Sequence, residues 1–141
     1  MRYKDVYGLK LSFNSQAISF KHQSLVMKNF QQMQLETELP VVITDQEGFI
    51  TYINEAFKTV YGWTAEEILG FPLEVIIPQS LHDSHRLSFS RFVMTEKAKV
   101  LNHPLLLKTV TKEGIEVESE HFITAEKQGE IWFFAATISP L

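Results

Sequence analysis

The sequence predicts an α+β domain: a five-stranded antiparallel sheet with short helices on one face and an amphipathic helix in front. Three observations carry this expectation. Residues 41–53 hold two short β-branched segments around Asp45-Gln46-Glu47-Gly48. Residues 54–97 change to helical spacing, punctuated by Gly and Pro. Residues 105–139 return to strand patterning in three segments divided by Gly114 and Gly129. Two strands, then helices, then three strands in meander order close most simply as one antiparallel sheet.

Taken along the chain, residues 1–20 alternate loosely through Tyr3, Tyr7, Leu9, Leu11 and Phe13, the pattern of a short strand or an ordered arm. They lack the continuous apolar stretch of a signal peptide. Residues 22–38 contain no Gly or Pro, and Val26, Phe30 and Met33 recur at helical spacing. This stripe predicts a helix that pairs with a second copy of the chain, making Val26, Phe30 and Met33 candidate homodimer contacts. Pro40 ends it, because the residue before a proline is pushed out of the helical region. Residues 1–37 are thus expected to form an arm and helix ahead of a domain at 38–141.

Within that domain, Val41–Thr44 and Phe49–Ile53 read as a hairpin, with Gly48 available for positive φ. Asn54 is placed to cap a helix over Glu55–Tyr61, which Gly62 stops. Thr64-Ala65-Glu66-Glu67 is a capping box. Residues 80–97 form the longest helix, with Leu81, Ser84, His85, Ser88, Phe89 and Phe92 on one stripe. In residues 115–126, Val117, Ser119, His121 and Ile123 share one face, and Glu116, Glu118 and Glu120 the other.

Composition removes whole classes of function. The 141 residues carry 13 Lys and Arg against 17 Asp and Glu, so a nucleic-acid footprint is not expected. The chain has no cysteine, which excludes disulfides, thiolate metal sites and cysteine-linked flavin or chromophore chemistry. No apolar run is long enough for a membrane helix, and a cytoplasmic location is the expectation. No Ser-His-Asp set, phosphate loop or glycosidase-type carboxylate pair stands out, so the chain is not expected to be an enzyme.

Three blocks then carry a family resemblance. Leu39–Phe57, Tyr61-Gly62-Trp63-Thr64-Ala65-Glu66-Glu67-Ile68-Leu69-Gly70, and the later Ile77-Pro78, His85-Arg86, Arg91-Phe92 and Lys112-Glu113-Gly114 resemble a PAS domain in order and spacing. The resemblance covers about residues 38–139. It implies a sensory or interaction module with a ligand-sized cavity between sheet and helices, often dimeric through a leading helix, with a downstream signalling protein or domain as its partner. One departure lies in the last strand, where many PAS domains carry an Arg-Asp pair and this chain has Ala136-Thr137.

Strand alternation and the family pattern turn Ile43, Tyr52, Ser119, His121, Ile123 and Ala135 toward that cavity. The helices add Phe57, Ile68, Ile77, His85 and Phe89, and the loop before the third strand adds Val100. His85 is the sharpest candidate. In haem-binding PAS domains, the oxygen sensors of rhizobia among them, the proximal histidine lies on this helix six residues before an Arg-aromatic pair, as His85 does before Arg91-Phe92. The resemblance therefore implies haem b as an alternative cofactor, with His85 on the iron and His121 or His103 on the distal side. The bland readings stand beside it: a core-bonded His85, a satisfied core His121, a loop His103 and a solvated His82. Leu105 stands where oxygen-sensing members often place an Arg. Three functions compete: a signalling module for a small ligand, a haem sensor of gas or redox state, and an interaction domain whose cavity is filled by its own side chains.

Overall fold

The computed structural model describes residues 29–97 and 100–141. Its elements are α1 (Phe30–Leu35), β1 (Val41–Asp45), β2 (Ile50–Ile53), α2 (Glu55–Tyr61), α3 (Ala65–Ile68), two 3₁₀ turns (Leu73–Ile76 and Gln79–Leu81), α4 (His82–Thr95), β3 (Pro104–Val110), β4 (Glu116–Gln128) and β5 (Ile131–Pro140). The five strands form one sheet in the order β2-β1-β5-β4-β3, every pair antiparallel. The first and last strands of the domain meet at its centre.

Local chemistry sets the boundaries. At the β1–β2 turn, Asp45 Oδ1 accepts from the backbone N–H groups of Glu47 and Phe49, both at 3.0 Å. Gly48 completes the turn at φ +90, and a Cβ there would stand 3.7 Å from the Phe89 ring. Only glycine takes that backbone without strain. Asn54 caps α2, and Thr64 with Glu67 forms the capping box of α3. Glu96 ends α4 in the left-handed region at φ 58. Its carboxylate accepts from Trp132 Nε1 and Lys127 Nζ, both at 3.1 Å, tying the end of α4 to the β4–β5 hairpin. These two bonds and the Lys127 charge hold the Glu96 carboxyl below its ordinary range.

The sheet buries both faces. On one, α2, α3 and the first 3₁₀ turn pack Phe57, Tyr61, Ile68 and Ile76 against Val42, Ala136 and Ile138. On the other, α1 packs Phe30 and Met33 against Val41, Ile43, Phe122 and Ala135. Two expectations are corrected here. A single helix over 22–38 is not observed within the described part: Asn29 is extended, accepts from Gln32 N–H and opens a separate helix at Phe30. The stripe meant for a second copy is covered by the chain's own sheet, with Phe30 3% and Met33 0% exposed. An amphipathic face needs an apolar partner, and a sheet face supplies one as well as another helix does. Val26, the third expected contact, lies outside the described residues, as does the expected arm at 1–20.

The candidate ligand cavity

Between the sheet and α4 lies a cavity of about 330 Å³, within the range of small-molecule sites. Its roof is the whole expected stripe of α4, from Leu81, Ser84 and His85 through Ser88, Phe89 and Phe92. Ile76 and Ile77 close it beside α4, and Val100 and Leu101 border it from the loop before β3. The floor is the inward face of four strands: Val42 and Thr44 of β1, Phe134, Ala136 and Ile138 of β5, His121 and Ile123 of β4, and Leu105 and Leu107 of β3. At one end an aromatic group closes the space. The rings of Phe89 and Phe92 lie 4.8 and 5.0 Å from that of Phe134, and Phe92 stands edge-on to Trp132.

His85, Phe89, Ile77, Val100, His121 and Ile123 are therefore brought together as expected, whereas Ala135 borders the space but packs its side chain with Ile43 on the α1 face. Six other expected positions are not. Ile43 and Tyr52 pair across β1 and β2 and line a groove on the opposite face, beside Phe30. The parity of β1 is inverted because all of Val41–Thr44 is buried, two residues under α1 and two under the cavity. A one-residue slip exchanges every inward and outward side chain. Phe57 and Ile68 belong to the adjoining core rather than the lining. Ser119 points inward but is bonded to Tyr61 at 2.8 Å. His103 is exposed in the loop before β3, with Nδ1 3.3 Å from the Pro104 carbonyl oxygen, and does not reach the cavity.

The two lining histidines have different surroundings. His85 Nδ1 is buried and has no hydrogen-bond partner among the described residues. It faces the Glu74 carboxylate at 3.6 Å, outside hydrogen-bond reach. Arg86 holds the same carboxylate oxygen at 3.3 Å. Burial pushes the His85 pKa down, and Glu74 opposes it in part. His121 is enclosed, and burial lowers its pKa to about 4, opposed in part by a hydrogen bond from the ring to the Leu107 backbone carbonyl. Its Nε2 lies 3.1 Å from Thr109 Oγ1. Thr109 and Ser119 also bond Tyr61, whose hydroxyl donates to the Ile138 carbonyl at 3.2 Å. Desolvation raises the Tyr61 pKa, and these bonds offset it only in part. The floor thus rests on a buried polar chain running from Tyr61 through Thr109 to His121.

His82 is not the solvated histidine expected. Its Nε2 lies 3.0 and 2.8 Å from the carbonyl oxygens of Glu74 and Ile77. Both partners are acceptors, so the ring must donate, which fixes the tautomer. It staples the start of α4 to the 3₁₀ turn that carries Glu74. The sequence reading did not single out Thr44, Tyr61, Glu74 or Thr109. Glu74 had the one visible signal, as the lone acid in the apolar stretch Leu73–Ile77.

Haem demands an axial imidazole on the cavity wall with its second nitrogen supported, commonly by a carboxylate. His85 stands on that wall, with Nδ1 turned to the Glu74 carboxylate at 3.6 Å rather than bonded to it. The distal side does not fit as expected, because His103 is outside and the His121 ring is held by Thr109. No cluster of three metal-ligating side chains occurs among the described residues.

A five-stranded antiparallel sheet covered by helices, with an apolar cavity between them, defines a class of small α+β domains. The sequence pattern of the PAS domain family matches residues 38–141, and the chain belongs to that family. Solved PAS domains superpose on it. That of a Desulfitobacterium hafniense protein is 23% identical with a TM-score of 0.60, over 81% of this chain and all of the other. That of a Colwellia psychrerythraea protein is 16% identical with a TM-score of 0.59, over 72% and 85%. The PAS domain of the Cronobacter turicensis quorum-sensing receptor RpfR, solved in complex with C12:0, is 16% identical with a TM-score of 0.57, over 75% and 96%. At these identities the likeness is one of fold. An uncharacterised protein of Azorhizobium caulinodans is 25% identical over 118 residues, and the match spans 82% of this chain but 16% of that protein.

Proposed function

We propose that this chain is a PAS sensor domain that binds a small, largely apolar ligand between α4 and the sheet and passes its occupancy on to a signalling partner. The observation that carries the reading is the cavity itself: about 330 Å³, roofed by one helix stripe and floored by four strands, with few polar groups. A domain whose cavity is filled by its own side chains would not leave this space beneath α4. The complex of a structural neighbour, the RpfR PAS domain, with C12:0 supports a ligand-binding reading. The reading is of a binding module and not an enzyme, since two neutral imidazoles and a hydroxyl suit recognition. No helix among the described residues is long and apolar enough to cross a membrane, and a cytoplasmic sensor is the proposed setting. Dimerisation through Phe30 and Met33 is not part of the proposal, because both are buried in the single chain.

One observation favours haem as a second reading: His85 stands on the cavity wall with Nδ1 toward Glu74. Native mass spectrometry separates the readings. Protein purified without denaturation is measured alone, with haem, and with a straight-chain series of alcohols and acids. A discrete adduct of one ligand per chain is expected from the alkyl series. A haem adduct with a Soret band that is lost in His85→Ala would move the assignment to the second reading. No adduct of any kind would leave an interaction domain and overturn both.

A further inference from the structure

Thr44 is buried to 2% exposure on the cavity floor, and its Oγ1 has no hydrogen-bond partner among the described residues. A buried hydroxyl left unbonded costs stability, and valine would fill the same space without that cost. The hydroxyls of Thr137 and Ser139 also lack partners, but neither lines the cavity. Thr44 therefore offers the cavity a hydrogen bond that the fold does not use.

The surroundings of Thr44 define what could take that bond. Thr44 pairs with Phe134, whose ring meets Phe89. The Gly48 carbonyl accepts from Leu73 N–H at 2.9 Å, which brings the Leu73–Ile76 turn, and Glu74 with it, to this end of β1. His85 closes the same end, its ring 5.5 Å from that of Phe89. The charge nearest His85 is thus a carboxylate, side-chain exposure 19%, already held by Arg86. The cation that lines the cavity, Lys108, is exposed and 3.8 Å from Glu116. An anionic head at Thr44 would lose its hydration and meet no buried cation among the lining residues.

We propose that the ligand is an uncharged amphipathic molecule whose hydroxyl, carbonyl or amide head bonds Thr44 Oγ1 at the Phe89–Phe134 end, with its apolar body lying along Val42, Ala136 and Ile123. This rests on the ligand-binding reading above and adds the charge state and orientation of the ligand. His85, kept neutral beside the head by burial, provides a second polar atom without demanding a charge.

The test is calorimetric titration of the whole chain with decanol and with decanoate, at about pH 8 so that the acid is ionised. Wild type, Thr44→Val and Thr44→Ser are compared, each first shown by urea unfolding to be as stable as wild type or more so. Decanol is expected to bind wild type at least about tenfold tighter than decanoate, to lose about tenfold in Thr44→Val and to recover most of it in Thr44→Ser. Equal binding of the two compounds, or decanol binding unchanged in Thr44→Val, overturns this inference while leaving the cavity as a ligand site. If neither compound binds wild type, the ligand-binding reading falls and this inference with it.

Discussion

Asn54 uses its full hydrogen-bonding capacity to join three segments. Its Oδ1 accepts from Val41 N–H at 2.9 Å and from Phe57 N–H at 3.0 Å. Its Nδ2 donates to the Leu39 carbonyl at 2.8 Å and the Glu36 carbonyl at 3.0 Å. An N-cap contributes about 1 kcal/mol, and the buried groups it would leave unbonded add to that. Asn54→Ala is therefore expected to cost about 3 kcal/mol in urea unfolding; a loss below about 1 kcal/mol would reduce Asn54 to a simple cap. The capping role was legible from Asn before an acidic first turn. The reach to Glu36 and Leu39 was not, because it depends on where α1 lies. His121 makes a second prediction. It stays neutral in the fold down to about pH 4, whereas unfolded histidine titrates near 6.5. Between those values the unfolded chain binds a proton that the folded chain refuses. Its share of stability is complete above about pH 6.5 and falls with pH by about 3 kcal/mol across the window. The depressed His85 pulls in the same direction. Stability against pH should flatten in His121→Gln, leaving the smaller His85 slope; an unchanged profile would mean that His121 is not buried as described.

The two faces of the sheet show which elements a sequence can place. In β4, inward Val117, Ser119, His121 and Ile123 alternate with acids, and that contrast made its faces readable. In β1 no contrast exists, because α1 covers one side and the cavity the other, and Ile43 and Thr44 exchanged roles. For α1 the apolar stripe was read correctly as needing a partner, but periodicity cannot tell a second copy from the chain's own sheet. The ring of Phe30 lies 6.4 Å from that of Phe133, and Met33 is fully enclosed. Phe30→Ala and Met33→Ala should each cost about 3 kcal/mol in unfolding, as large-to-small core changes do. Sedimentation should show no change in association that the loss of folding does not explain. A variant of wild-type stability with an altered oligomeric state would restore these residues to an interface between copies.

Taken as a whole, the molecule surrounds a cavity at the centre of its sheet's inner face. β1 and β5 run side by side beneath it, and α4 is stapled above it by His82 at one end and Glu96 at the other. The helix stripe and the inward face of β4 were legible before the structure, since both are local periodic patterns. The polar chain from Tyr61 to His121 and the meeting of Glu74 with His85 were not, since each joins residues far apart in sequence or on separate turns. The account stands or falls on whether the space under α4 is a ligand site. Ala136, at the middle of the floor, tests this directly. The decisive measurement is titration of decanol into Ala136→Phe beside wild type, with unfolding followed on the same samples. The account predicts one site per chain in wild type, no measurable binding in Ala136→Phe, and no loss of stability, because the added ring occupies space that was open. Undiminished binding in a stable Ala136→Phe protein would contradict it.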